Sequence, residues 1–147
     1  MKNFPEWKNE AFLILRLTLG VIFLMHGSQK VLGLFGGQGL QASVQMFQAR
    51  MGIPPALAYT SIFTEFFGGI ALIVGLLTRV AAVGIGINMI VATWKVHLAN
   101  GFFVNWSCQA GKGHGFEYNL ALIGMAFALA LTGGGQYSLD RKLCKFS

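Results

Sequence analysis

Four long stretches of mostly apolar residues dominate the chain, at about residues 11–34, 56–77, 80–98 and 116–131. A helix needs about 20 such residues to cross the hydrocarbon core of a membrane. The runs are punctuated by glycine, and they lack the strict alternation over about ten residues that a membrane barrel strand requires. The pattern predicts an all-α integral membrane protein, a four-transmembrane-helix bundle forming a single domain over residues 1–147.

The segments between the runs suggest how the spans are connected. Between spans 1 and 2, apolar residues recur at helical spacing among glutamines: Leu40, Val44, Phe47 and Met51. This predicts a short interfacial helix. Only Thr78-Arg79 separates the second run from the third, so these spans should form a tight antiparallel hairpin. The aromatic, glycine-rich stretch 100–116 either folds back as a lid or forms a belt at the membrane interface.

Composition and charge agree with a membrane location. Hydrophobic residues make up 54% of the chain and charged residues 11%, against roughly 25% charged in soluble domains. The net charge of +6 comes from basic residues at the ends of apolar runs, with no aromatic-interleaved stripe, so no nucleic acid is expected as a partner. The side of the two termini holds Lys2, Lys8, Arg79, Arg141, Lys142 and Lys145. The other side holds Lys30, Arg50 and Lys112, with Lys95 near its boundary, so both termini are predicted to be cytoplasmic.

Cysteine and histidine spacings indicate neither a disulfide nor a metal site. Cys108 falls in the loop on one side and Cys144 in the tail on the other, so the two should lie a membrane apart. The three histidines lack a ligand spacing such as HxxxH, so bound metal or haem is not expected.

Polar residues within the spans are the candidate functional residues. An ionisable side chain at a helix centre costs roughly 2.5–3.5 kcal/mol on insertion, so it usually faces the protein interior. Small and polar residues form one stripe on each span: Arg16, Gly20, Phe23, Gly27 and Lys30; Ser61, Glu65, Gly68, Leu72 and Gly75; Gly84, Asn88, Val91 and Lys95; and Glu117, Ala121, Gly124 and Ala128. Small residues let membrane helices approach closely, so we expect the stripes to face one another.

Most of the polar groups should converge in the half of the bundle away from the termini. The candidate catalytic residues are Glu65, His26 and Glu117, and the candidate pocket residues are Lys30, Asn88, Lys95, His97, Tyr118 and Trp94. His97 lies about 180° from Asn88 on an ideal helix, so it faces the pocket only if that helix ends or unwinds early. Arg16 lies near the other end, where its side chain can reach lipid phosphates. The alternative for the buried charges is an interhelical ion pair that only fixes packing.

Six pieces of the sequence resemble the DoxX family of small bacterial membrane proteins. They are RLTLGVIFLMHGSQK at 16–30, GIP at 52–54, EFFGGIALIVGLLTR at 65–79, HLANGFF from His97, FEYNL from Phe116 and GGGQYSLD ending at Asp140. The resemblance implies a four-helix protein of the bacterial inner membrane. It also implies functional positions at His26, Lys30, Glu65, His97, Glu117 and Tyr118. The family is named for a subunit linked to a quinol oxidase and a thiosulfate:quinone oxidoreductase.

Three functions fit the sequence. The pocket holds a quinone, or packs against a redox partner subunit that does; Glu65, His26 and Glu117 then deliver protons, with Tyr118 or Trp94 beside the ring. Alternatively, the buried charges mark the path of a small solute. Alternatively, the chain is an assembly subunit without catalysis, in an oligomer or a larger complex. Whether it is an enzyme stays open.

Overall fold

The computed structural model describes residues 7–143, and all regular secondary structure in that range is helical. Its α-helices are α1 (Lys8–Leu32), α2 (Leu40–Met51), α3 (Pro55–Val74), α4 (Thr78–Ala92), α5 (Glu117–Thr132) and α6 (Leu139–Leu143). A π-helical turn, Thr93–His97, and a 3₁₀ turn, Leu98–Asn100, extend α4. The predicted all-α membrane bundle is confirmed. Cys144 lies outside the described residues, so its separation from Cys108 stays a prediction.

Length and composition suit these helices to a bilayer. Among the described residues, three helical stretches are long and apolar enough to span a membrane: Asn9–Leu32, Pro55–Val74 and Thr78–Asn100. α5 is apolar but has 16 residues, about 24 Å at the standard rise, against roughly 30 Å of hydrocarbon. Large apolar side chains point outward, including Val80 at 67% exposure and Phe127 at 64%. Such a surface is suited to lipid contact.

α1 and α3 pack more closely than ordinary side chains would permit. A Cβ atom built on Gly27 would lie 2.5 Å from Phe66 Cα, and one built on Gly69 would lie 2.4 Å from the Leu24 backbone nitrogen. The stripe predicted on the first span therefore lies at this contact through Gly20 and Gly27, whereas α3 approaches α1 through Gly69, which the predicted stripe did not include. The predicted Gly68 faces α4 instead, where an added Cβ atom would lie 3.3 Å from Ile85.

The predicted stripe on the fourth span was wrong. Ala121 and Gly124 are exposed, whereas the buried face of α5 consists of Asn119, Leu122, Ala126 and Leu129. Leucines belong on that face because α5 closes a core that includes Leu19 and Phe23 of α1, where large apolar side chains fill the space between the helices.

The connection between α3 and α4 differs from the expected two-residue turn. α3 ends at Val74 and is followed by Gly75, whose φ of 73° is left-handed, and α4 already begins at Thr78. The Asp140 carboxylate of α6 accepts hydrogen bonds from the Leu77 and Thr78 backbone N–H groups at 2.6 and 2.9 Å. A capped first turn therefore draws Thr78 and Arg79 into α4.

Arg16 does not extend toward lipid headgroups, which corrects the sequence-based expectation. Its side chain is 2% exposed. Nη1 donates to the Gly134 carbonyl at 2.9 Å and Nη2 to the Tyr137 carbonyl at 2.8 Å. The chain after α5 passes beside α1 and supplies these acceptors, so the guanidinium fixes the C-terminal segment to the bundle.

The Asp140 cap should be needed for the stability of α4. We expect Asp140→Ala to lower the free energy of unfolding by about 1–2 kcal/mol, because two backbone donors lose their acceptor. Asp140→Asn keeps one side-chain oxygen and should lose less. Denaturation by sodium dodecyl sulfate in mixed micelles, followed by circular dichroism, measures both variants. Equal stability of Asp140→Ala and the parent chain would contradict the capping role.

Candidate functional site

A cavity of about 590 Å³ lies between the helices at the end of the bundle where α1 finishes and α5 begins. Its walls come from α1, α2, α3, α4, α5 and the loop 101–116. Apolar side chains make up much of the lining, and the polar residues on it are His26, Lys30, Ser61, Glu65, Asn88, His97, His114, Glu117, Tyr118 and Asn119. The cavity therefore combines an apolar body with a small set of polar groups, as ligand sites commonly do.

Lys30 and Glu65 form an ion pair on the cavity wall. Lys30 lies in the last turn of α1 and Glu65 near the middle of α3, and close packing of these two helices brings the groups together. The Glu65 side chain is 5% exposed and that of Lys30 is 23% exposed. Lys30 Nζ also lies 5.7 Å from the centre of the Phe47 ring of α2, within cation–π range. The charge of each group is thus compensated inside the bundle.

Two asparagines face the same cavity from the other pair of helices. Asn88 of α4 donates through Nδ2 to the Ser61 carbonyl at 2.9 Å. Asn119 of α5 donates through Nδ2 to Thr93 Oγ1 at 3.3 Å. Asn88 was a predicted pocket residue. Asn119 was overlooked, although it is a polar residue within an apolar run.

The π-helical turn after α4 brings His97 to the cavity. An ideal helix would point this residue away, but the wider turn changes the direction of the side chains that follow. His97 Nδ1 lies 2.9 Å from the His114 carbonyl. Because a carbonyl only accepts, Nδ1 carries the proton of that hydrogen bond. The early unwinding on which the placement of His97 depended is therefore present.

The same turn leaves Trp94 and Lys95 outside the cavity, where the sequence had placed them on its wall. Trp94 is 69% exposed, Lys95 is also exposed, and neither lines the cavity. Lys95 Nζ instead lies 5.1 Å from the centre of the Trp94 ring. After the wider turn, the chain returns to the cavity at Val96 and His97 rather than at Lys95.

The loop 101–116 folds back over the end of the bundle. Asn105 is 9% exposed and organises the loop by donating to the Gln109 and Lys112 carbonyls. Glu117 Oε1 accepts from the Val104 backbone N–H at 3.1 Å. Val104, Trp106, His114 and Gly115 line the cavity. This arrangement favours the lid interpretation, although aromatic side chains such as Phe103, 72% exposed, also point outward.

α2 forms a wall of the cavity, a role that the sequence did not reveal. Met46, Phe47 and Met51 of α2, followed by Ile53, line it. Phe47 and Met51 belong to the apolar face that the helical spacing predicted. An amphipathic pattern identifies which face is apolar but not what that face covers.

The predicted catalytic residues His26, Glu65 and Glu117 all line this cavity, as do Lys30, Asn88, His97 and Tyr118. Glu65 is buried, whereas His26 and Tyr118 both line the cavity and are exposed on the surface. These two residues therefore lie at the mouth of the cavity. Within residues 7–143, no three histidine, cysteine, aspartate or glutamate side chains are grouped closely enough to hold a metal ion. The fold and cavity define a class, that of small helical membrane proteins with a partly polar site between their helices.

The chain belongs to the DoxX family, whose sequence profile matches residues 11–98. It is 31% identical to the putative oxidoreductase CatD of Bacillus subtilis, over 87% of this chain and 83% of CatD. It is 31% identical to the inner membrane protein YqjF of Escherichia coli, over 90% and 92% of the two chains. It is 35% identical to the membrane protein Rv3486 of Mycobacterium tuberculosis, over 92% and 82%. No solved structure matches the chain.

Proposed function

We propose that this protein is a small subunit or partner of a quinone-linked oxidoreductase of the bacterial inner membrane, and that its cavity binds the quinone. The observation that carries the proposal is the Lys30–Glu65 ion pair on the wall of a largely apolar cavity. Intramembrane ionisable groups are functional candidates by default. The basic residues at the chain ends favour cytoplasmic termini, which would place the cavity toward the outer face.

The cavity lining suits a flat ring that carries oxygen atoms. Phe23, Phe47 and Leu122 offer apolar surface, and the volume of about 590 Å³ falls within the usual range of small-molecule sites. The Lys30 ammonium can donate to a ring oxygen, and Tyr118 at the mouth can flank the ring. The size of the cavity and its mixed lining therefore support a ligand of the quinone class.

Reduction of a quinone to a hydroquinone takes two electrons and two protons, one proton at each carbonyl oxygen. The partner oxidoreductase supplies the electrons in this proposal. Glu65, His26 and Glu117 are side chains that hold or transfer protons at the cavity wall. The relative CatD is named as a putative oxidoreductase, which supports this chemical class.

Quinone binding should quench the fluorescence of Trp106, which lines the cavity. We expect decylubiquinone to quench the full-length protein in detergent at micromolar concentration. Glu65→Gln should weaken this binding about tenfold or more, because the buried charge pair is disrupted. Fluorescence titration gives the affinity. The part of the quenching that is lost in Trp106→Phe is the part that arises in the cavity.

Lys95→Gln is a matched control, because it also neutralises a charge near the cavity but outside its lining. This variant should bind decylubiquinone as the parent chain does. The proposed site would be refuted if decylubiquinone caused no saturable quenching of the parent chain. It would also be refuted if Glu65→Gln bound decylubiquinone as tightly as the parent chain does.

A solute-conducting role is the second candidate, and the exposed mouth of the cavity favours it. His114 and Trp106 line the cavity and are exposed at the same time. In that case, flux of a small solute into proteoliposomes should occur without a redox partner and should be lost in Glu65→Ala. Unchanged flux in that variant would exclude a path past Glu65.

A further inference from the structure

Three side-chain oxygens on the cavity wall, Glu65 Oε1, Asn88 Oδ1 and Asn119 Oδ1, accept no hydrogen bond within residues 7–143. From this we propose that the cavity binds the hydroquinone form of its ligand more tightly than the quinone form. The inference rests on the proposed function and adds which redox state of the ligand is favoured. It follows from the orientation of two amide side chains and one carboxylate.

The amide of Asn88 has a fixed orientation. Its partner is the Ser61 backbone carbonyl, which can only accept, so the NH₂ group must face Ser61. The amide oxygen Oδ1 is therefore left as an acceptor for other partners, beside the second N–H of the amide. Asn88 lines the cavity.

The amide of Asn119 is fixed by a second, independent chain of hydrogen bonds. The Thr93 hydroxyl donates its single proton to the Met89 carbonyl at 2.8 Å. Thr93 Oγ1 must then accept in its contact with Asn119, so Nδ2 is the Asn119 atom that faces it. The Asn119 oxygen Oδ1 is left over in the same way.

Glu65 contributes a third acceptor. Lys30 binds Oε2, and within residues 7–143 no donor contacts Glu65 Oε1, Asn88 Oδ1 or Asn119 Oδ1. Among those residues, the fully buried side-chain atoms without a partner are Arg16 Nε and Thr78 Oγ1, at the other end of the bundle. The three cavity oxygens therefore have accessible surface, and through it they can accept a hydrogen bond from a ligand.

A hydroquinone suits this set of groups better than a quinone. Each hydroxyl group can donate to one of the three oxygens, and one of the two hydroxyl groups can also accept from the Lys30 ammonium. A quinone oxygen only accepts, so a bound quinone would displace water from the asparagine oxygens without replacing its hydrogen bonds. Tighter binding of the reduced form also raises the reduction potential of the bound couple, by about 30 mV for each tenfold ratio in a two-electron couple.

The test compares three ligands with one carbon skeleton: decylubiquinol, decylubiquinone and the dimethyl ether of decylubiquinol. Anaerobic isothermal titration calorimetry on the full-length protein in detergent gives each affinity. We expect the quinol to bind at least tenfold more tightly than the quinone. The dimethyl ether should bind no better than the quinone, because it has lost both O–H donors.

Two variants and a control connect the preference to the asparagines. Asn88→Ala and Asn119→Ala should each reduce the quinol preference at least threefold, and either variant suffices if the other fails to fold. Gln45→Ala, on the exposed face of α2, should keep the full preference. Equal affinity for quinol and quinone, or tight binding of the dimethyl ether, would overturn this inference while leaving the quinone site standing. Binding of none of the three ligands would overturn the proposed function itself.

Discussion

Glu65→Leu is expected to lower the free energy of unfolding by about 3 kcal/mol, because it leaves the Lys30 ammonium without its partner inside the bundle. Removal of one member of a buried ion pair typically costs about 3–5 kcal/mol. The lower end applies here, since the Lys30 side chain is 23% exposed and keeps some hydration. Unfolding by sodium dodecyl sulfate in mixed micelles measures the change.

The double variant Lys30→Met with Glu65→Leu separates packing from function. Replacement of both charges by apolar groups of similar size is often neutral or stabilising, so most of the lost stability should return. Binding of decylubiquinone should not return with it, because the ammonium that donates to a ring oxygen and the Glu65 carboxylate are both gone from the cavity wall. Recovery of both stability and binding would mean that the ion pair serves packing alone, as in an assembly subunit.

Gly69→Ala is expected to destabilise the bundle by about 3 kcal/mol or more, near the upper end for overpacked cores. The added methyl group would lie 2.4 Å from the Leu24 backbone nitrogen and 2.9 Å from the Gly20 carbonyl oxygen. These are backbone atoms, so relief requires α1 and α3 to separate rather than a side chain to rotate. Thermal unfolding in detergent, compared with the parent chain, reports the loss.

Gly124→Ala is the matched control for this substitution. Gly124 lies within α5, and a Cβ atom built on it meets nothing within 4 Å. Alanine is the better helix former by about 1 kcal/mol, so this variant should be as stable as the parent chain or more so. An unchanged melting temperature for Gly69→Ala would contradict the close approach of α1 and α3.

The helices could be predicted from the sequence because a membrane limits the alternatives. In hydrocarbon, every backbone polar group must be satisfied within the protein, so a long apolar run implies a helix. The faces of α1 and α3 were also predictable. Both helices carry small residues together with a charge, and both features belong at a helix–helix contact.

The faces of α4 and α5 were harder to predict, for two different reasons. On α4, the π-helical turn at Thr93–His97 changes the angle between successive side chains around the helix axis. A prediction that assumes a constant helical period assigns residues in this turn to the wrong face. Lys95 was therefore placed on the cavity wall in error. On α5, the buried face includes Leu122 and Leu129, and in an apolar run leucine is equally suited to lipid and to core.

The contact of Asp140 with the start of α4 was also beyond prediction. The two segments are 62 residues apart, and neither hydrophobic periodicity nor a helix-capping pattern links positions so distant in the sequence. The Arg16 contacts with Gly134 and Tyr137 are of the same kind. Spacing along the chain describes single helices, whereas these contacts depend on how the helices assemble.

The Lys30–Glu65 pair has a consequence for how the chain enters the bilayer during synthesis. Both charges belong to the first two long helices, α1 and α3, which emerge from the ribosome before α4 and α5. A carboxylate in the middle of a helix is costly to transfer into lipid by itself. If α1 waits beside the translocon, its ammonium neutralises the incoming carboxylate, and the pair partitions into the bilayer as one hairpin. Membrane insertion of α3 would then depend on α1. Lys30→Gln should therefore reduce the fraction of newly synthesised chains in which α3, with Glu65, is integrated into the membrane.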